Sequence, residues 1–159
     1  MQQIQALWPR CKFLHLIRNG LDVAASMSKH PGFQWIMTSG EATWCSASFS
    51  RYYSVVEATE HPLTTYVGRW CHSVNRIRDE ATRIRQDSYK EVFYENILAN
   101  PATVIQDIAA FASVDPDPDW LAILERQINP AKLAHENDIT LLSCLRPEET
   151  ALMQSLGYI

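Results

Sequence analysis

Arg18 and Ser26, eight positions apart, are the residues of this chain whose types and spacing best suit holding an anion. They lie in the run Lys12-Phe13-Leu14-His15-Leu16-Ile17-Arg18-Asn19-Gly20-Leu21-Asp22-Val23-Ala24-Ala25-Ser26-Met27. Phe13 to Ile17 is nearly all apolar, as expected of a parallel strand covered on both faces. Arg18 should therefore emerge at the strand's carboxyl edge, where open α/β sheets place their ligands. Asn19-Gly20 reads as a turn pair, because both residues tolerate positive φ. A helix from about Leu21 to Lys29 should follow and stop before Pro31-Gly32. Asp22 falls in its first turn, where the macrodipole favours a carboxylate, and Ser26 shares its face four residues on. Helix N–H groups and a guanidinium facing one opening make a phosphate site. Guanidinium suits the task because its planar fork fits phosphate oxygens and stays charged. The spacing alone equally suits a strand-turn-helix corner with a solvated arginine and an ordinary helical serine.

A second block, Tyr89-Lys90-Glu91-Val92-Phe93-Tyr94-Glu95-Asn96-Ile97-Leu98-Ala99-Asn100-Pro101, reads as a short strand from about Lys90 to Tyr94, a turn, and a helix that Pro101 can open. By itself Tyr94 is a half-buried strand aromatic with a polar tip. Glu95 reads as a brace for the turn rather than a general base.

Together the two blocks resemble the sulfotransferase family that uses 3′-phosphoadenosine 5′-phosphosulfate (PAPS). Members carry a strand, an arginine, a turn and a helix with a serine at the spacing of Arg18 and Ser26. They also carry a Tyr-Glu strand end, a proline and a helix closing on phenylalanine, matched by Tyr94-Glu95, Pro101 and Phe111. Ile17-Arg18-Asn19-Gly20 and Asp22-Val23-Ala24 look most like the bacterial and Golgi-type branches, which include carbohydrate and tyrosyl-protein enzymes. Phe93 and Asn96 depart from the arginine and aspartate that members often have there. The resemblance implies an α/β fold, a P-loop-NTPase-like parallel sheet flanked by helices. It implies transfer of a sulfuryl group from PAPS to the hydroxyl of a small-molecule, sugar or tyrosyl acceptor. Arg18 and Ser26 would hold the donor's 3′-phosphate and Tyr94 would lie against its adenine; no catalytic base is assigned. A non-catalytic nucleotide- or protein-binding remnant of the fold is the alternative, and a nucleotide kinase-like domain a third.

Members also begin with a glycine-rich loop that wraps the 5′-phosphosulfate through successive backbone N–H groups. The five glycines here, Gly20, Gly32, Gly40, Gly68 and Gly157, are scattered. Nor does the chain carry the late Arg-Lys-Gly stretch of cytosolic members. Residues 1–159 are thus expected to be a partial sulfotransferase-like domain, incomplete at the N-terminus and corresponding to the carboxyl-terminal part of the fold.

The other elements must frame these blocks. From about Thr64 to Arg85, Val67, Trp70, Val74 and Ile77 form an apolar helical stripe, with Arg69, Arg76, Arg78, Asp79 and Arg83 read as a solvated face. Asp115-Pro116-Asp117-Pro118 is a rigid turn, with Asp119 as cap of a helix near Trp120. Arg146-Pro147 opens a last helix ending at Gly157-Tyr158, similar to the Leu-Gly-Tyr tail of the bacterial branch. Between Pro31 and Pro62 an aromatic, hydroxyl-rich stretch reads as a loop and a helix from about Thr43 to Ala58 that packs on the core, or as an acceptor-side wall. At 47% hydrophobic and 159 residues, the chain is the size of one domain. A net charge of −4 argues against general nucleic-acid binding. Cys11, Cys45, Cys71 and Cys144 lack zinc-site spacing and read as separate buried thiols. His15 reads as a satisfied core residue. No run is apolar enough to span a bilayer, so a soluble, cytoplasmic protein is expected.

Overall fold

The structure, a computed structural model, describes residues 1–33, 61–128 and 139–159. In chain order the elements are α1 (Gln2–Leu7), β1 (Phe13–Ile17), α2 (Gly20–Lys29), α3 (Thr64–Ala81), a 3-10 turn (Gln86–Ser88), β2 (Tyr89–Phe93), α4 (Tyr94–Ala99), α5 (Pro101–Ala112), α6 (Pro118–Gln127), α7 (Ile139–Ser143) and α8 (Pro147–Ser155). The chain forms two compact units, Met1–Arg18 with Val74–His135, and Asn19–Ser73 with Glu136–Ile159.

In the first unit β1 and β2 pair in parallel, in register from Phe13↔Tyr89 to Ile17↔Phe93. Paired residues share a face. Phe13, His15 and Ile17 therefore stand beside Tyr89, Glu91 and Phe93, and Leu14 and Leu16 beside Lys90 and Val92. The carboxyl-terminal end of α3 is tied to the first face by Arg78, which donates Nε and Nη2 to Glu91 at 2.8 and 2.7 Å. On the other face α5 receives Lys90, bonded to Asp107 at 2.8 Å. The expectation that β1 is covered on both faces is corrected. His15 and Ile17 are buried, but Leu14 and Leu16 are 46% and 53% exposed. A short apolar run looks the same whether one face or two are covered, because only alternation with polar residues would betray the open face.

Local signals account for the helix starts. Pro101 opens α5 at its first position, where its missing N–H costs no hydrogen bond, and Ser113 closes it in the left-handed region at φ 60°. Pro118 opens α6 in the same way, but the cap is Asp117 and not Asp119. The Asp117 carboxylate accepts from the Asp119 N–H at 2.8 Å. β2 runs one residue earlier than expected, and Tyr94 enters α4 at once where a turn was expected.

In the second unit the Asn19-Gly20 corner is not a positive-φ turn. Asn19 caps α2, its Oδ1 accepting from the Leu21 N–H at 2.8 Å with φ −46°. Gly20 is required for close approach instead: a Cβ there would stand 2.6 Å from Trp70 Cε3. Trp70 in turn meets the Tyr158 ring edge-on at 6.2 Å. Around this contact Leu21, Ala24, Val67, Cys71, Leu141, Leu152 and Met153 are buried. Glu149 closes a capping turn on α8, accepting from the Arg146 N–H at 2.9 Å, and its burial raises its pKa. Gly157, at φ +74°, supplies the left-handed residue after α8. The stripe on α3 is as expected for Val67, Trp70 and Val74, which are buried. Its arginines are not all solvated: Arg69 is buried and Arg78 is held by Glu91. The expected helix from about Thr43 to Ala58 and the acceptor-side wall lie outside the described residues.

Candidate functional site

Because Ile17 and Phe93 end their strands level with one another, the next residues, Arg18 and Tyr94, leave the carboxyl edge of the pair together. The Arg18 guanidinium lies over the Tyr94 ring, Cζ 5.0 Å from its centroid. Such a cation–π contact contributes about 0.5–2 kcal/mol, more as water is excluded. Both side chains are half-buried. The contact sets a fixed cation beside an aromatic surface, and these are the two chemistries that a phosphorylated purine nucleoside needs. The third expected residue, Ser26, is exposed on α2 in the other unit. Glu95 sits in the first turn of α4.

Three rungs back along the same strands lies a polar array that sequence reasoning missed. The Glu91 carboxylate takes both Arg78 bonds and a third from the Tyr89 hydroxyl at 2.8 Å. The Tyr89 oxygen lies 2.7 Å from His15 Nδ1. Arg78 beside Glu91 holds its carboxyl below the usual carboxylate range. Burial, followed by the bond to Glu91, pushes the Tyr89 phenol up. Burial pushes His15 down more than Glu91 raises it, so the imidazole is neutral at pH 7. His15 is thus the satisfied buried residue that was expected. One signal could have exposed the array: Glu91 shares the inward parity of its strand with Tyr89 and Phe93, and an inward carboxylate requires a partner.

At the opposite, amino edge Lys12 and Lys90 stand 5.0 and 5.8 Å from the Phe111 ring centroid. Phe111, on α5, thus packs under a lysine of β2 and the lysine that precedes β1. Among the described residues no group of three or more side chains could hold a metal ion. Cys71 is buried as expected, whereas Cys11 and Cys144 are half-buried, and all three are free thiols. No helix among the described residues is long and apolar enough to cross a membrane.

A sequence model of the sulfotransferase family matches residues 1–119. A solved structure, the sulfotransferase domain from the curacin biosynthetic pathway, is similar to this chain with a TM-score of 0.60 and 17% identity. The match covers 99% of this chain and 57% of that one. At that identity the likeness is one of fold, here a mixed α/β arrangement with a parallel strand pair. No curated protein matched.

Proposed function

The chain belongs to the sulfotransferase family, and on that premise we propose that it takes part in sulfuryl transfer from PAPS to an acceptor hydroxyl, on a P-loop-like parallel sheet. The observation that carries this reading is the Arg18–Tyr94 pair at the carboxyl edge of β1 and β2. The family generally uses a sulfonate donor, and the donor set here fits a nucleotide. Arg18 offers charge-assisted hydrogen bonds to a 3′-phosphate, and Tyr94 offers a π surface to adenine. Ser26 is assigned to the same phosphate on its spacing from Arg18, as a neutral hydroxyl donor. PAPS, when bound, supplies the sulfuryl group. The chain's own residues would fix the nucleotide's position, and positioning lowers the barrier by replacing an encounter with a held geometry. Neutralising charge on the transferring group is the larger catalytic effect in such reactions. No residue described here is assigned to that task.

Incubating the protein with sulfur-labelled PAPS and a panel of sugars, phenols and tyrosyl peptides tests the reading. Label transferred to an acceptor, and reduced at least tenfold by Arg18→Ala, is expected; transfer that Arg18→Ala leaves unchanged would remove Arg18 from the donor site. A chain that binds adenosine 3′,5′-bisphosphate but transfers nothing would support the second reading, a non-catalytic nucleotide-binding module.

A further inference from the structure

The array beneath the Arg18–Tyr94 pair has a direction fixed by charge. Glu91, held ionised by Arg78, can only accept hydrogen bonds. The single Tyr89 hydroxyl proton therefore goes to Glu91 Oε1. The Tyr89 oxygen must then accept from His15 Nδ1, 2.7 Å away. Neutral His15 is accordingly the Nδ1–H tautomer, and an added proton enters at Nε2. The groups that face this imidazole are Tyr89 and Glu91 from β2 and Arg78 from α3. Glu91 Oε1 is 3.8 Å from Nδ1, within ion-pair reach, yet both Glu91 oxygens already serve Arg78. A protonated His15, itself buried, would set a second cation beside a carboxylate that is already taken.

We propose that His15 is a pH-sensing residue for the Arg18–Tyr94 pair: on acidification it competes with Arg78 for Glu91, loosens the tie of α3 to β2, and shifts the pair three residues further along both strands. The register makes the link short, since Arg18 follows His15, and Tyr94 follows Glu91, by the same three positions. Burial keeps His15 neutral at ordinary pH, so the response belongs below its ordinary value of 6.5. That the pair serves a nucleotide rests on the function proposed above; the coupling between His15 and the pair does not.

The test is an NMR titration of the whole, ligand-free chain from about pH 8 to about pH 5, across the range where histidine changes charge. It follows the His15 ring nitrogens, the Arg18 Nε–H and the Tyr94 ring. At the upper end His15 should show a protonated Nδ1 and a bare Nε2. Arg18 and Tyr94 signals should then shift with the same midpoint as His15, below 6.5. In His15→Asn, whose amide can still donate to Tyr89 but does not titrate, that shared shift should vanish. Arg18 and Tyr94 signals that stay still through the His15 midpoint would overturn the proposal, as would an equal shift in His15→Asn or the Nε2–H tautomer at neutral pH. The wild-type titration decides the matter even if the variant does not fold. Because no ligand is present, a failure to bind nucleotide would count against the proposed function and leave this coupling standing.

Discussion

Replacing Gly20 by alanine should destabilise the protein, although alanine is ordinarily the better helix former. Gly20 is the first residue of α2, two positions after Arg18, and its missing Cβ lets the Trp70 indole approach. The added carbon would lie 2.6, 2.8 and 2.9 Å from Trp70 Cε3, Cδ2 and Cζ3. Three ring atoms inside contact distance cannot be relieved by swinging a flexible chain end. Trp70 is buried and packed edge-on against Tyr158. Overpacking of this kind costs about 1–3 kcal/mol. Alanine's propensity returns at most about 1 kcal/mol, and less at a helix's first position than in its interior. With a return of about 0.5 kcal/mol at the first position, the net loss is about 0.5–2.5 kcal/mol. Urea unfolding followed by far-UV circular dichroism measures it. The same substitution in a Trp70→Leu background supplies the control, because the smaller side chain leaves room for the methyl. There the Gly20→Ala cost should disappear, a coupling that a double-mutant cycle isolates. Equal or greater stability of Gly20→Ala in the wild-type background would refute the close-approach account. So would a cost that persists unchanged in the Trp70→Leu chain.

Further outcomes follow from the same geometry. Asn19→Ala removes the cap on α2 and should cost about 1–2 kcal/mol in the same unfolding assay. Stability should fall on acidification in two stages. His15 has a depressed folded pKa, so the unfolded chain takes up its proton first and stability declines once pH drops below about 6.5. Glu91 is depressed as well, so its contribution is present above the ordinary carboxylate range and is lost as pH falls through it. Glu91→Gln should flatten the second stage, measured as unfolding midpoint against pH. The Cys71 thiol, pushed up to about 12 by burial, should resist alkylation in the native state, while Cys11 and Cys144 react faster. Peptide mapping after brief alkylation reads the three sites separately.

The elements with strong local punctuation were legible in the sequence. Pro101 and Pro147 mark helix starts because proline's fixed φ and missing N–H suit that position alone within a helix, whereas Pro118, read as part of a turn, opens α6. The apolar stripe of Val67, Trp70 and Val74 marks the buried side of α3 because a helix repeats every three to four residues. What depended on a distant partner was not legible. Gly20 looked like a turn residue because Asn-Gly pairs tolerate positive φ; the reason for it sits far along the chain at Trp70. Arg78 looked solvated because charge on a helix usually is, and only the strand register brings Glu91 under it. The exposure of Leu14 and Leu16 was hidden for a similar reason, since coverage is a property of neighbouring layers and not of the strand. Arg18 and Tyr94 were both picked out, by two separate blocks, and their meeting at 5.0 Å is the part supplied by the fold.

The central claim is that Arg18 and Tyr94 form one end of a nucleotide site. Calorimetric titration with adenosine 3′,5′-bisphosphate, comparing the wild type with Arg18→Ala and Tyr94→Ala, tests it most directly. Hydrogen bonds from a charged donor contribute about 1.5–3 kcal/mol, so Arg18→Ala should weaken binding by roughly 10- to 150-fold. Tyr94→Ala, which removes a stacking surface worth about 1–3 kcal/mol, should weaken it by roughly 5- to 150-fold. Tight binding that neither substitution changes, or no binding by the wild type at all, would contradict the claim.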